Sequence, residues 1–128
     1  MKEIMQSFAS AIQRLQVVLD TPTPDSVVRD AAIQRFEFTV ELAWKTIQRF
    51  LRDQQLLCNS PKACFRSAFE YGLITDDEIW IAMMQDRNLT VHTYNETLAQ
   101  QIFQRLPGYL PHLQAVYRAI QQELAATD

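Results

Sequence analysis

The sequence predicts an all-α protein, an antiparallel up-and-down bundle of four main helices with one or two short ones. Three observations carry this. Apolar residues recur at steps of three and four through most of the 128 residues. Glycine occurs only twice, as Gly72 and Gly108, where an average usage of roughly 7% would give about nine. No window alternates convincingly with period two, the mark of a half-buried strand.

Ile4, Phe8, Ile12, Leu15 and Leu19 step by 4, 4, 3 and 4 and form the stripe of a first helix. Thr21-Pro22-Thr23-Pro24 ends it, with Thr23 the expected cap of a second helix and Pro24 its first residue. That helix carries Val28, Ala32, Phe36, Val40, Ala43, Ile47 and Phe50 along one side, with no Gly or Pro from Asp25 to Asn59. At 1.5 Å per residue, about 30 residues give a rod of about 45 Å. Its other face holds Glu37, Glu41, Lys45 and Arg49, with Glu41 and Lys45 in the favourable i,i+4 order. Ser60-Pro61 opens a short third helix through Ala63, Ala68 and Phe69, and Gly72 closes it. Thr75-Asp76-Asp77-Glu78 reads as a capping box for a fourth helix bearing Ile79, Trp80, Met83 and Met84. Thr93-Tyr94-Asn95-Glu96 reads as a second box, opening a fifth helix with Leu98, Ile102 and Leu106. Pro107-Gly108 is expected to break it. Leu110, Leu113, Tyr117, Ile120 and Leu124 then form a separate last helix, with Pro111 in its first turn. No linker, repeat or low-complexity stretch interrupts residues 1–128, so the expectation is a single helical domain.

The composition, 48% hydrophobic and 21% charged, is that of a globular chain with enough apolar mass for a core. Two glycines exclude a glycine-rich phosphate loop. A net charge of −3 does not suit a strongly basic nucleic-acid binder, so any RNA contact needs a local cationic patch. Arginine outnumbers lysine nine to three, which weakly favours fork-like recognition of phosphate or carboxylate. Cys58 and Cys64 have no zinc spacing and are expected as two reduced thiols. Met1-Lys2-Glu3-Ile4 leads into an amphipathic pattern and no stretch approaches the ~20 apolar residues of a span, so a cytoplasmic location is expected, without secretory signal or membrane helix.

Histidine is the side-chain type that ordinarily changes charge near neutral pH, and only His92 and His112 are present. His112, beside Pro111 and Leu113, reads as structural or solvent-facing. His92 lies in Asp86-Arg87-Asn88-Leu89-Thr90-Val91-His92-Thr93-Tyr94, at the junction of two helices. Five residues put Arg87 and His92 about 140° apart on an unbroken helix, so they share a pocket only if the helix ends or kinks between them. Tyr94 then reaches the same mouth. Arg beside His suits phosphate-ester chemistry without a metal: the guanidinium holds the phosphate and the imidazole moves a proton. On RNA the imidazole takes the 2′-hydroxyl proton. One histidine is not base and protonated acid at once, and a two-fold dimer supplies both. The plainer reading pairs Arg87 with Asp86 or Glu78 and makes His92 a cap.

Arg87-x4-His92-x-Tyr94 resembles the Arg-x4-His-x-Tyr signature of the HEPN superfamily, in particular its HepT-like branch, also called nucleotidyltransferase substrate-binding proteins. Arg35-Phe36-Glu37-Phe38 and Glu41-Leu42-Ala43-Trp44-Lys45 resemble that family's long second helix, and Ser60-Pro61 to Phe69-x-x-Gly72-Leu73-Ile74 its third. Leu106-Pro107-x-Tyr109-Leu110-Pro111 is similar to the start of its last helix. The resemblance covers almost the whole chain. It implies a HEPN-like bundle that forms a homodimer and pairs with a minimal nucleotidyltransferase antitoxin. It also implies a toxin: a metal-independent endoribonuclease acting on tRNA or mRNA, with no cofactor. Arg87 then stabilises the phosphate, His92 is the acid/base, and Asn88 is a supporting polar residue. Tyr94 is the site where the partner transfers AMP from ATP, and a bulky anion there obstructs the pocket and repels RNA.

Two other readings stand beside this one. The chain is then a non-catalytic subunit that binds the nucleotidyltransferase or presents a substrate to it, or a plain scaffold dimer in which Phe36, Phe38 and Trp44 pack core and interface. The expected interface uses the fourth helix and the motif segment, so that two copies of His92 face one cleft.

Overall fold

A computed structural model describes residues 1–126. It contains α1 (Lys2–Leu19), α2 (Ser26–Asp53), α3 (Pro61–Tyr71), α4 (Asp77–Leu89), a 3-10 turn (Thr90–His92) and α5 (Glu96–Ala126). The chain is all-helical over these residues. Arg35 donates to the Arg14 carbonyl and Thr39 to that of Ala11, so α1 and α2 run antiparallel. Arg29 meets Glu96 and Phe36 meets Tyr109, so α2 and α5 run the same way. α4 descends between them, with α3 as the short crosspiece packed on α2 and α4. The four-helix up-and-down plan is therefore realised in α1, α2, α4 and α5.

The stripes read from periodicity are the core. Phe8, Leu15, Phe36, Ile47, Phe50, Trp80, Met83, Ile102, Leu106 and Leu113 are all fully buried. Each such side chain contributes about 1.5–3 kcal/mol through removal from water. Aromatic pairs tie the helices: Phe8 to Tyr117, Phe36 to Tyr109, Phe50 to Tyr71 and Phe65 to Trp80. Buried Thr39 and Thr46 satisfy their hydroxyls on the carbonyls of Arg35 and Leu42, four residues back.

Several local expectations are corrected. Pro107-Gly108 does not break the chain; α5 runs unbroken for 31 residues with Pro107 and Pro111 inside it. The buried series Ile102, Leu106, Tyr109, Leu113 and Val116 passes straight through, while both prolines and Gly108 face solvent. Packing of one continuous face outweighs the two backbone hydrogen bonds that Pro107 and Pro111 cannot donate. On α3 the buried residues are Cys64, Phe65 and Ala68, whereas Ala63 and Phe69 are exposed. Phe38 is also exposed, in a groove between α1 and α2, and is not core.

The caps shift by a residue or two. Asp25 rather than Thr23 caps α2, accepting from the Val28 amide. Asp76 rather than Thr75 caps α4, accepting from Glu78 and Ile79. Asp is among the strongest N-cap residues, and its charge suits the positive end of the helix. Ser60 caps α3 as expected, and Gly72 ends it at φ +99°, where a side chain is strained. Cys58 and Cys64 are not free thiols; they form a disulfide with 5.1 Å between their Cα atoms. The bond staples the loop after α2 to the first turn of α3, and Gln48 holds the same loop by donating to the Cys58 carbonyl at 2.8 Å.

Candidate functional site

The motif segment sits where α4 gives way to α5. Two threonines build the bend. Thr90 turns both its amide and its hydroxyl onto the Arg87 carbonyl, the hydroxyl at 2.6 Å. Thr93 does the same to the Thr90 carbonyl, its hydroxyl at 2.8 Å. Carbonyls that would continue an α-helix are thus taken up locally, and the helix tightens into a 3-10 turn and stops. The Asn95 amide then donates to the His92 carbonyl, and its side chain accepts from Leu98 to open α5. Asn95, not Thr93, is the cap. The helix does end between Arg87 and His92, through the threonine hydroxyls rather than a capping box.

Asp86 anchors the bend from behind. It is 5% exposed and accepts from Arg105 Nε and Nη2 at 2.7 Å each and from the Tyr109 hydroxyl at 2.6 Å. Tyr109 in turn stacks on Phe36, so the last turn of α4 is tied to α5 and, through it, to α2. Burial, and then the bond to Asp86, pushes the Tyr109 hydroxyl well above the usual phenol range. The bond to Asp86 likewise raises Arg105, against the opposing effect of burial. A second tie lies at the start of α5. Buried Arg29 donates to Glu96 at 2.8 Å, which raises the guanidinium and lowers the carboxyl below its ordinary range.

The sequence offers Asp86 or Glu78 as partners for Arg87. The structure gives Glu41 instead: Arg87 Nη2 lies 3.2 Å from Glu41 Oε2. Glu41 Oε1 takes Lys45 Nζ at 3.3 Å, so one carboxylate bridges two cations. Arg87 Nη1 makes a long 3.5 Å contact to Asn88, and its Nε is buried without an acceptor. His92 is exposed, with its ring edge-on to Tyr94 at 6.0 Å between centroids. Tyr94 is 82% exposed and shares a hollow of about 340 Å³ with Asp30, Ile33, Gln34, Glu37 and Thr93. Among the described residues, no hydrogen bond joins Arg87 to His92 directly. His112 is half-buried on α5, away from this cluster in the chain.

Glu37, Glu41 and Lys45 step by four along α2, so they share one face. Tyr94 lies at the Glu37 end of that face and Arg87 at the Glu41–Lys45 end. Arg87 and Tyr94 thus meet the same face of α2 at different points, and His92 joins them only through its contact with Tyr94. Glu41, Lys45, Arg105 and Tyr109 are the residues that sequence reasoning did not place here. The i,i+4 order of Glu41 and Lys45 was visible, but nothing local says that α4 ends beside them. Among the described residues, no three His, Cys, Asp or Glu side chains come together as a metal-binding group. No helix among them is long and apolar enough to cross a membrane.

Comparison with known proteins gives four findings. Residues 3–122 match the family described as nucleotidyltransferase substrate binding protein like. A Haemophilus influenzae protein named probable ribonuclease HepT is 33% identical over 94 residues. That match takes in 66% of this chain and 64% of the relative, so this chain spans less than two thirds of the relative's length. A crystal structure of a Thermus thermophilus protein is 43% identical with a TM-score of 0.85, covering 88% of this chain and 98% of that one. A second structure, from Haemophilus influenzae and reported as the fold of a substrate binding domain of a nucleotidyltransferase, is 23% identical. It shares the fold at a TM-score of 0.80, over 91% of this chain and 98% of its own.

Proposed function

This chain belongs to the HEPN/HepT-like family of nucleotidyltransferase substrate-binding proteins, and from that membership we propose that it is a HepT-type toxin, a metal-independent endoribonuclease switched off by adenylylation of Tyr94. The observation that supports the reading is that α4 ends between Arg87 and His92, with Arg87 held against Glu41 of α2 and exposed His92 set edge-on to Tyr94. Neutral His92 takes the proton of an RNA 2′-hydroxyl, and the oxygen attacks the adjacent phosphorus. Arg87, supported by Asn88, holds the non-bridging oxygens as charge builds there. The 5′-oxygen leaves with a proton from the protonated His92 of a second copy, giving a 2′,3′-cyclic phosphate and a 5′-hydroxyl. The homodimer brings the two imidazoles to one cleft. A cognate minimal nucleotidyltransferase is the antitoxin. It directs the Tyr94 oxygen onto the α-phosphorus of ATP, and pyrophosphate leaves. Substrates of this kind, tRNA or mRNA, put the activity in the cytoplasm, and residues 1–128 act as one domain.

The test is cleavage of total tRNA or an mRNA transcript by purified protein in the presence of a chelator. Wild type is expected to leave 2′,3′-cyclic ends, and Arg87→Ala or His92→Ala to lose at least about 100-fold in rate. Full activity in both variants overturns the reading. A second reading, a non-catalytic subunit of the nucleotidyltransferase, is favoured by one observation: Arg87 is already paired with Glu41 and makes no bond to His92. An active partner complex whose unmodified chain cuts no RNA decides for it.

A further inference from the structure

We propose that Lys45 is a second phosphate-binding residue of this site, placed there by Glu41, an inference that rests on the ribonuclease reading. The two oxygens of the Glu41 carboxylate hold different cations, Lys45 at 3.3 Å and Arg87 at 3.2 Å. The ammonium and the guanidinium are therefore no farther apart than those contacts and the width of one carboxylate allow. Two cations and one anion give this triad a charge of +1, and Glu37 and Arg49, one turn to either side on the same face, offset each other, on a chain whose net charge is −3. Such a cluster attracts an anion rather than neutralising itself.

The free hydrogens point the same way. Lys45 has three donors and spends one on Glu41, and its side chain is 53% exposed. Arg87 has its Nε edge buried without an acceptor, so a ligand meets it through the Nη edge, where Glu41 and Lys45 lie. An RNA phosphodiester carries oxygens on both sides of phosphorus and accepts from both cations at once, with Arg87 as the fork and Lys45 as the point charge. The i,i+4 pairing alone would make Lys45 an ordinary surface lysine. The arrival of α4 at the same carboxylate makes it part of the site.

The test uses RNA binding by the His92→Ala protein, which does not cleave, titrated against salt with labelled tRNA and a labelled unstructured oligoribonucleotide. Lys45→Gln is expected to weaken binding and to flatten the log–log salt dependence by about 0.7 on single-stranded RNA, one phosphate contact fewer. Lys45→Arg retains the slope. Arg118→Gln, in the groove between α1 and α5, leaves the slope unchanged. An unaltered slope in Lys45→Gln, with RNA still bound, overturns the inference and leaves the ribonuclease reading standing. Absence of RNA binding by the His92→Ala protein, together with absence of cleavage by wild type, overturns both. Lys45 is a surface side chain, and an unchanged melting curve confirms that the variant is folded.

Discussion

Asp86 and Arg87 are neighbours in the chain that serve opposite environments. Asp86 turns inward to Arg105 and Tyr109, and Arg87 turns outward to Glu41. One hundred degrees of helix separate them. The buried carboxylate fixes the last turn of α4, and that turn sets where the guanidinium emerges. Asp86→Asn keeps the volume and removes the charge from three short hydrogen bonds. The expected loss is about 2 kcal/mol, at the lower end for charged partners because Arg105 is half-exposed and screened. Urea denaturation reads it. RNA cleavage by the folded fraction is expected to fall as well, although Asp86 touches no substrate.

The same network gives stability an alkaline limit. Burial and Asp86 raise Tyr109 above the ordinary phenol value of about 10. The unfolded chain then loses the Tyr109 proton before the folded one does. Stability is full below about pH 10 and declines as pH climbs from there toward the raised folded value. Tyr109→Phe is expected to be less stable at neutral pH, by about 1 kcal/mol for the lost bond, and to decline less steeply above pH 10. Tyr71, also raised, leaves a residual slope. On the acid side, Glu96 is held below the usual carboxyl range by Arg29. Its contribution is present above the ordinary carboxyl value and is lost as pH falls through the lowered one, so Glu96→Gln flattens the acid limb. Thermal melts across pH check both.

A change at Glu41 is expected to separate binding from chemistry. Glu41→Gln removes the anion that holds Arg87 and Lys45 together, yet raises the local charge by one. RNA is expected to bind as tightly or more tightly at low salt, because long-range attraction grows. Cleavage is expected to slow by roughly 10–100-fold, because a misplaced guanidinium no longer meets the developing charge. The kinetic signature is a fall in kcat without a rise in KM. A rise in KM with kcat unchanged would show that Glu41 acts only through affinity.

Legibility followed the range of the physics. Helical stripes report burial directly, and residues such as Phe36, Ile102 and Leu113 were readable because 3.6-residue spacing is local. Pro107 misled because its local cost is fixed while the benefit of a continuous face, from Ile102 to Val116, is tertiary. The bend after Leu89 was legible as an ending, but its cause was not, since Thr90 and Thr93 act through backbone carbonyls three residues back. The partners of Arg87 and Asp86 lie 46 and 19 positions away, as Glu41 and Arg105, and no spacing rule reaches that far. Six residues of separation likewise did not show that Cys58 and Cys64 approach.

That disulfide is a stability device with a simple readout. Closing so short a loop restricts the unfolded chain by roughly 2 kcal/mol. For a chain of 128 residues this corresponds to a melting shift of about 5–10 °C. A reducing agent is expected to lower the melting temperature of wild type by that amount. A Cys58→Ala, Cys64→Ala double variant is expected to melt low and to ignore the reductant. Thiol titration of the unreduced, denatured protein is expected to find no free cysteine.

Tyr94 protrudes almost fully into water with its ring set against His92, and these two facts support the proposed switch. An accessible hydroxyl suits a second enzyme, and a nearby imidazole means that whatever is attached there reaches the reacting centre. An adenylyl group adds a phosphodiester charge and a nucleoside, which both block His92 and repel an RNA phosphate. Tyr94→Phe retains the ring edge and loses only the acceptor oxygen, so it is expected to cut RNA at the wild-type rate. Incubated with the cognate nucleotidyltransferase and ATP, wild type is expected to gain adenylyl mass and lose cleavage, while Tyr94→Phe does neither. Intact-mass spectrometry and a cleavage assay on the same samples decide it. Adenylyl mass on Tyr94→Phe, with activity lost, would move the modified residue elsewhere and remove the steric argument for this bend.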